Sequence, residues 1–247
     1  MVEQHTVASY DEELELLTRT LLRMGGLVET QIEKACASIT QRDSAIAEKV
    51  VFGDQEIDEM EIEAERRVTR LLALRAPVAI DLRLVISSLK MSSDLERMGD
   101  LAANIAKRAV VLSQVAPIKT LWMVPDMSAR VQVMVKNVLD AYVEKDRVKA
   151  REVWLADEKV DEIYNSLFRE LLTYMFEDPR SITAGAHLLF VAKNLERIAD
   201  HATNMAENVT YMLTGHRDMG ERPKGDTTSQ YAGADARPDQ SGKAANG

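Results

Sequence analysis

Cysteine is almost missing from this chain: Cys36 is the only one in 247 residues. An internal disulfide framework is therefore excluded, a reducing compartment is expected, and Cys36 itself reads as a small buried side chain. Aromatic residues make up only 5% of the sequence, and glycine and proline are sparse before residue 214. That scarcity removes the usual material of sheet-rich folds and leaves Leu, Val, Ile, Ala and Met, a mixture that favours helix. Positive charge is not in excess either: 31 Lys and Arg against 40 Asp and Glu leave a net charge of −9. Broad binding to a nucleic-acid backbone, which draws its affinity from Lys and Arg, is not expected. An acidic chain is better matched to cations or to a basic protein partner. No apolar run is long enough to cross a bilayer, and MVEQHTVASYDEELE lacks the basic start and apolar stretch of a secretion signal. A cytoplasmic location without membrane insertion is the expectation.

What the chain does have is helical period from Tyr10 to about Leu213. Leu14, Leu17, Leu21, Met24 and Val28 begin one apolar stripe. A second segment starts near Asp43 and carries Ile46, Val50, Ile57, Met60, Ala64, Val68 and Leu71. Pro77 then breaks the pattern at a place suited to an early helix position. A third stripe steps by four and three through Leu84, Ser88, Met91, Leu95, Met98, Ala102, Ile105, Ala109 and Leu112. APIKTLWMVPD at 116–126 reads as a hinge between halves.

After the hinge the plan returns. DLERMGDLAANIAKR at 94–108 is echoed by NLERIADHATNMAEN at 194–208, with Glu96, Arg97, Asp100 and Asn104 repeated as Glu196, Arg197, Asp200 and Asn204. Asp43, Val50, Asp54 and Asp58 return as Asp146, Val153, Asp157 and Asp161, displaced by 103 residues. Such self-similarity marks an internal duplication. The expected fold is all-α, two pseudo-symmetric three-helix bundles built from six long antiparallel helices. The halves are assigned to residues 8–115 and 118–214, and the Gly-, Pro- and Ser-containing stretch 215–247 reads as a disordered tail.

The chemistry is concentrated in the repeated acids. Glu96, Asp100 and Asn104 lie at i, i+4 and i+8, as do Glu196, Asp200 and Asn204, so each set shares one helix face. Asp54 with Asp58, and Asp157 with Asp161 and Asn165, form similar rows on the preceding helices. With Leu95, Met98, Ala102 and Ile105 as the buried seam, these rows fall at outward positions and are expected on the bundle surface. A solvated helix face normally mixes signs, because like charges at i, i+4 oppose each other by about 0.2–0.5 kcal/mol. Four like-charge pairs therefore point to raised carboxyl pKa values or to bound cations. Oxygen-only ligands suit hard ions such as iron, Mn, Mg or Ca. Arg97 and Arg197 read as outer supports or inter-helix partners, with Asn104, Asn204 and Asn165 as further supporting polar groups. Glu61 and Glu162 stand at the edge. His187 and Trp154, like Trp122, read as packing residues; His201 falls off the acid row, and His5 and His216 are terminal.

The duplicated LERxxDxAxNxA, preceded in each half by DxxxD, resembles the PhoU family of phosphate-transport accessory proteins. The resemblance covers roughly residues 8–214, and PVAIDLRLVISSLK at 77–90 shares it; PRSITAGAHLLF in the later half lacks the Asp81-Leu82-Arg83 of the first. It implies multinuclear metal clusters on Asp54, Asp58, Glu96 and Asp100 and on Asp157, Asp161, Glu196 and Asp200. It also implies a negative regulator of the phosphate-starvation response, partnered by a sensor histidine kinase and by the ATPase of a phosphate ABC transporter. A homodimer is expected as well. Two other readings compete: a carboxylate-bridged metalloenzyme, for which the acids lack inward Glu-x-x-His ligands, and a plain helical interaction module without metal.

Overall fold

The computed structural model describes residues 2–118, 123–217 and 219–220, with side chains from Tyr10 on. Six α-helices account for nearly all of them: α1 (Val2–Gln41), α2 (Ser44–Arg75), α3 (Ala79–Leu112), α4 (Met123–Glu144), α5 (Arg147–Glu177) and α6 (Ile182–Thr214). A 3₁₀ turn, Pro179–Ser181, precedes α6. None of these helices is long and apolar enough to cross a membrane.

The duplication is visible in how the helices start. Asp43 caps α2 by accepting from the N–H groups of Ala45 (2.8 Å) and Ile46 (3.3 Å). Asp146 caps α5 by accepting from Val148 (2.8 Å) and Lys149 (3.2 Å). Each carboxylate thus satisfies donors that the first helical turn leaves open. The preceding residues, Arg42 and Lys145, both turn the chain with φ of 55°. At the other terminus Gly215 closes α6 in a left-handed conformation, φ 80°, its N–H bonded to Tyr211 O at 2.8 Å.

Both halves feed one continuous core, in which Leu21, Met24 and Val28 of α1 meet Val131, Val135 and Val138 of α4 and the stripes of α3 and α6. The α3 and α6 pair makes the most extensive contact in the molecule. It runs antiparallel: Arg83 Nε bonds Met212 O, Ser87 Oγ bonds Asn208 O, and Asp94 meets His201. α1 and α4 are also antiparallel, and at Gly25 they come so close that an added Cβ would stand 2.2 Å from Leu139 Cδ1. The central helices are therefore deeply enclosed, with 15 buried residues in α3 and 17 in α6, whereas outer α2 has 6. A smaller cluster, Leu17, Ala64, Val68, Leu71 and Val85, closes one end of the first half.

Several boundaries differ from the sequence reading. α1 begins at Val2 and not at Tyr10. The hinge is shorter than 116–126, because α4 already includes Met123 to Asp126, with Pro125 in the first turn where no N–H bond is lost. Pro77 lies outside α3, whose N-cap is the extended Val78. Residues 119–122, Trp122 among them, lie outside the described residues. So does most of the stretch read as a tail, but Met219 is only 6% exposed and packs into the core, its sulfur receiving the Thr210 hydroxyl. Cys36 is buried as expected, its thiol pushed up to about 11 by loss of solvent. His187 is not the satisfied structural histidine foreseen: its buried Nδ1 has no partner, and burial beside Arg108 lowers its pKa.

Candidate functional site

The acid rows do meet, in a groove between α2 and α3. Asp54 is half-buried and its carboxyl is raised to about 6, first by burial and then by Asp100, Asp58 and Glu96, with Lys107 opposing. Asp58, although exposed, is raised by partial loss of solvent and by Asp100. Glu96 is raised by burial, Asp100, Glu61 and Asp58, against the pull of Arg97. These four carboxylates therefore sense one another across two helices, and Glu61 joins them. Gly99 makes the approach possible, since a Cβ there would lie 3.0 Å from both Asp54 Oδ1 and Ile57 Cδ1. Asp54 Oδ1 is buried against that glycine with no hydrogen-bond partner.

The equivalent groove between α5 and α6 is deeper. Asp157 is 2% exposed, Asp161 4% and Glu196 5%. Glu196 is raised to about 7 by burial and by Asp200 and Asp161, even though Lys193 opposes the shift. Lys193 Nζ donates to Glu196 Oε1 at 2.9 Å, while Glu196 Oε2 is buried without a partner. The same ammonium stands 5.0 Å from the centroid of the Tyr164 ring.

The outward assignment of the rows is thus corrected. Asp157, Asp161 and Glu196 are buried, Asp54 and Glu96 are half-sheltered, and only Asp58, Asn104 and Asn204 are exposed, with Asp100 and Asp200 between. A two-neighbour seam underestimates the enclosure of α3 and α6, each of which packs against three other helices. The flank assigned to solvent faces the outer helix instead.

The supporting groups also sort differently. Arg97 is 61% exposed and lies along its own helix, 3.5 Å from Glu96 Oε2 and 3.9 Å from Asp100 Oδ2, so it is not an inter-helix partner. Arg197 is exposed and Asn165 half-buried. Asn104 accepts from Lys107 Nζ at 3.5 Å. Glu162 pairs with Lys159 on its own helix. The sequence reading missed Lys193, Tyr164 and Gly99. It also missed the tie between Asp94 of α3 and His201 of α6, 2.9 Å apart and partly buried. Their signal was there in the duplication, at positions where the two copies differ.

Chemically, both grooves offer carboxylate oxygens that repel one another, and each holds a buried oxygen without a donor. A hard cation fits that donor set and would relieve both conditions. Among the described residues, however, no three Asp, Glu, His or Cys side chains stand close enough together, as they are placed, to hold a metal ion.

Comparison with known proteins gives concordant results. The PhoU domain family matches residues 21–109 and 124–209. A phosphate-specific transport system accessory protein PhoU homolog of Caulobacter vibrioides (strain NA1000 / CB15N) is 51% identical over 92% of this chain and 99% of its own length. A protein of the same name from Rhizobium meliloti (strain 1021) is 44% identical over 93% of this chain and 97% of its own. The crystal structure of PhoU from Pseudomonas aeruginosa is similar with a TM-score of 0.81 and 41% identity, covering 84% of this chain and 100% of that one. The phosphate transport system regulatory protein PhoU from Streptococcus pneumoniae gives 0.78 and 33%, covering 85% and 99%.

Proposed function

Because the chain belongs to the PhoU family of phosphate-transport accessory proteins, we propose that it is a negative regulator of the phosphate-starvation response. In this reading it is a cytoplasmic, non-catalytic adaptor that couples the ATPase of a phosphate ABC transporter to a sensor histidine kinase. The observation that carries the reading is the match at 51% identity over almost the whole length of a protein named for phosphate transport. A partial match would have left room for the domain to serve in another setting. Deletion of the gene in the source cell, followed with a phosphate-starvation reporter, tests it. Reporter activity should rise at high phosphate, and unchanged repression would refute the regulatory role.

Metal binding is the second part of the proposal. Asp54, Asp58, Glu96 and Asp100 would hold hard cations in the first groove, and Asp157, Asp161, Glu196 and Asp200 in the second, with Asn104, Asn204, Asn165, Arg97 and Arg197 around them. Bound there, iron, Mn, Mg or Ca would neutralise the like charges and tie each outer helix to its central neighbour. The support for this is the pair of unpartnered buried oxygens, Asp54 Oδ1 and Glu196 Oε2, in grooves whose other ligands are also carboxylates. An ion that binds only the folded chain raises its stability by an amount that grows with the logarithm of the free ion concentration above its Kd. Metal analysis of the purified protein, with melts before and after chelation, tests this part independently of signalling. Absence of copurifying metal together with chelator-insensitive melting would reject it.

A further inference from the structure

The two acidic grooves come from one duplicated segment, yet they differ at two positions that face each other. With the offset of 100 residues that relates α3 to α6, Lys193 replaces Ser93. With the offset of 103 that relates α2 to α5, Tyr164 replaces Glu61. The two exchanges are physically coupled, because the Lys193 ammonium sits 5.0 Å from the Tyr164 ring centroid while bonding Glu196 Oε1 at 2.9 Å. The ring face attracts the ammonium and the buried carboxylate anchors it. In the first groove the corresponding acid, Glu61, adds negative charge next to Glu96.

We propose that the Lys193 ammonium is a tethered cation that takes one cation position of the second groove. The first groove then binds divalent ions tightly, and the second binds them weakly and in competition with Lys193. This rests on the metal-binding part of the function proposed above. Lys193 satisfies one oxygen of Glu196 and leaves Oε2, buried and unpartnered, as the remaining point of attachment. Its side chain is 40% exposed, so it can swing into solvent when a divalent ion enters. Lys193 is a positioning residue here: it sets occupancy through Glu196 and needs no contact with the ion.

The test uses the full chain and Mn²⁺ as probe, with free Mn²⁺ followed by electron paramagnetic resonance. D58N/D100N weakens the first groove at its more exposed acids, so that the second can be titrated alone. In that background K193S, which copies the first half, and K193M, which keeps the stem on Tyr164, should each tighten Mn²⁺ binding by about tenfold or more. K193R, which keeps the charge, should stay weak. A second readout does not depend on uptake: metal-free K193M should melt below the metal-free parent, and Mn²⁺ should restore it. Superimposable isotherms for K193M, K193S and the parent would overturn the inference while leaving metal binding intact. Failure of the unsubstituted chain to take up Mn²⁺ in either groove would overturn both.

Discussion

At Glu196 one carboxylate oxygen is bonded to Lys193 and the other to nothing, inside a groove that also holds Asp161 and Asp200. Burial and those neighbours lift its titration from 4.5 to about 7, and Asp54 in the other groove is lifted from 3.8 to about 6. A carboxyl raised in the folded state holds its proton there better than in the unfolded chain. It therefore contributes stability that is complete below its unfolded value and is lost as pH rises through the folded one. Metal-free protein should melt at a higher temperature near pH 5 than near pH 8, and E196Q should shrink that difference; an unaltered pH profile in E196Q would rule out this source. The more exposed acids behave differently. Asp100 keeps nearly half of its side chain in solvent, so D100A with D200A should lower metal content while circular dichroism shows the helices intact. Loss of helix in that double variant would mean that these aspartates hold the fold. The rows were legible in the sequence because i, i+4 spacing leaves no freedom about which face they share. Their depth was not, because Asp157 and Asp161 of α5 and Glu196 of α6 are buried where those two helices face each other, a contact that a two-neighbour seam does not count.

At the scale of the helix, the duplication makes its own control experiment. Asp43 and Asp146 cap α2 and α5 with the same pair of bonds, after residues with the same unusual φ. D43A and D146A should each cost about 1 kcal/mol, read as separate shifts in the denaturant midpoint, and the double variant should be additive because the sites lie in different halves. A cost near zero would show that water replaces the carboxylate in these turns. The start of α2 near Asp43 and its return at Asp146 were visible from the repeat alone. The left-handed Arg42 and Lys145 were not, since neither residue type announces that conformation; Arg42 is held there by donating to the carbonyls of Ser113 and Val115, both at 2.7 Å. Likewise Lys193 and Tyr164 stayed hidden because agreement between the copies draws the eye from the places where they part.

For the molecule as a whole, one core runs through both halves, so they should unfold together although the sequence presents them as two copies. Calorimetry should give a single transition whose calorimetric and van't Hoff enthalpies agree. I57A in the first half and L167A in the second, each at a fully buried site, should each move that same transition by the equivalent of about 2–5 kcal/mol. Two resolved transitions would mean that the α3 and α6 contact is weaker than its extent implies. The arrangement also has an electrical consequence. Three helices point one way and three the other, so their backbone macrodipoles cancel across the bundle. The long-range field is left to side chains alone, at a net charge of −9. The pull that this protein exerts on a distant ion or basic surface should then fade with added salt on the scale of the Debye length, about 8 Å at physiological ionic strength.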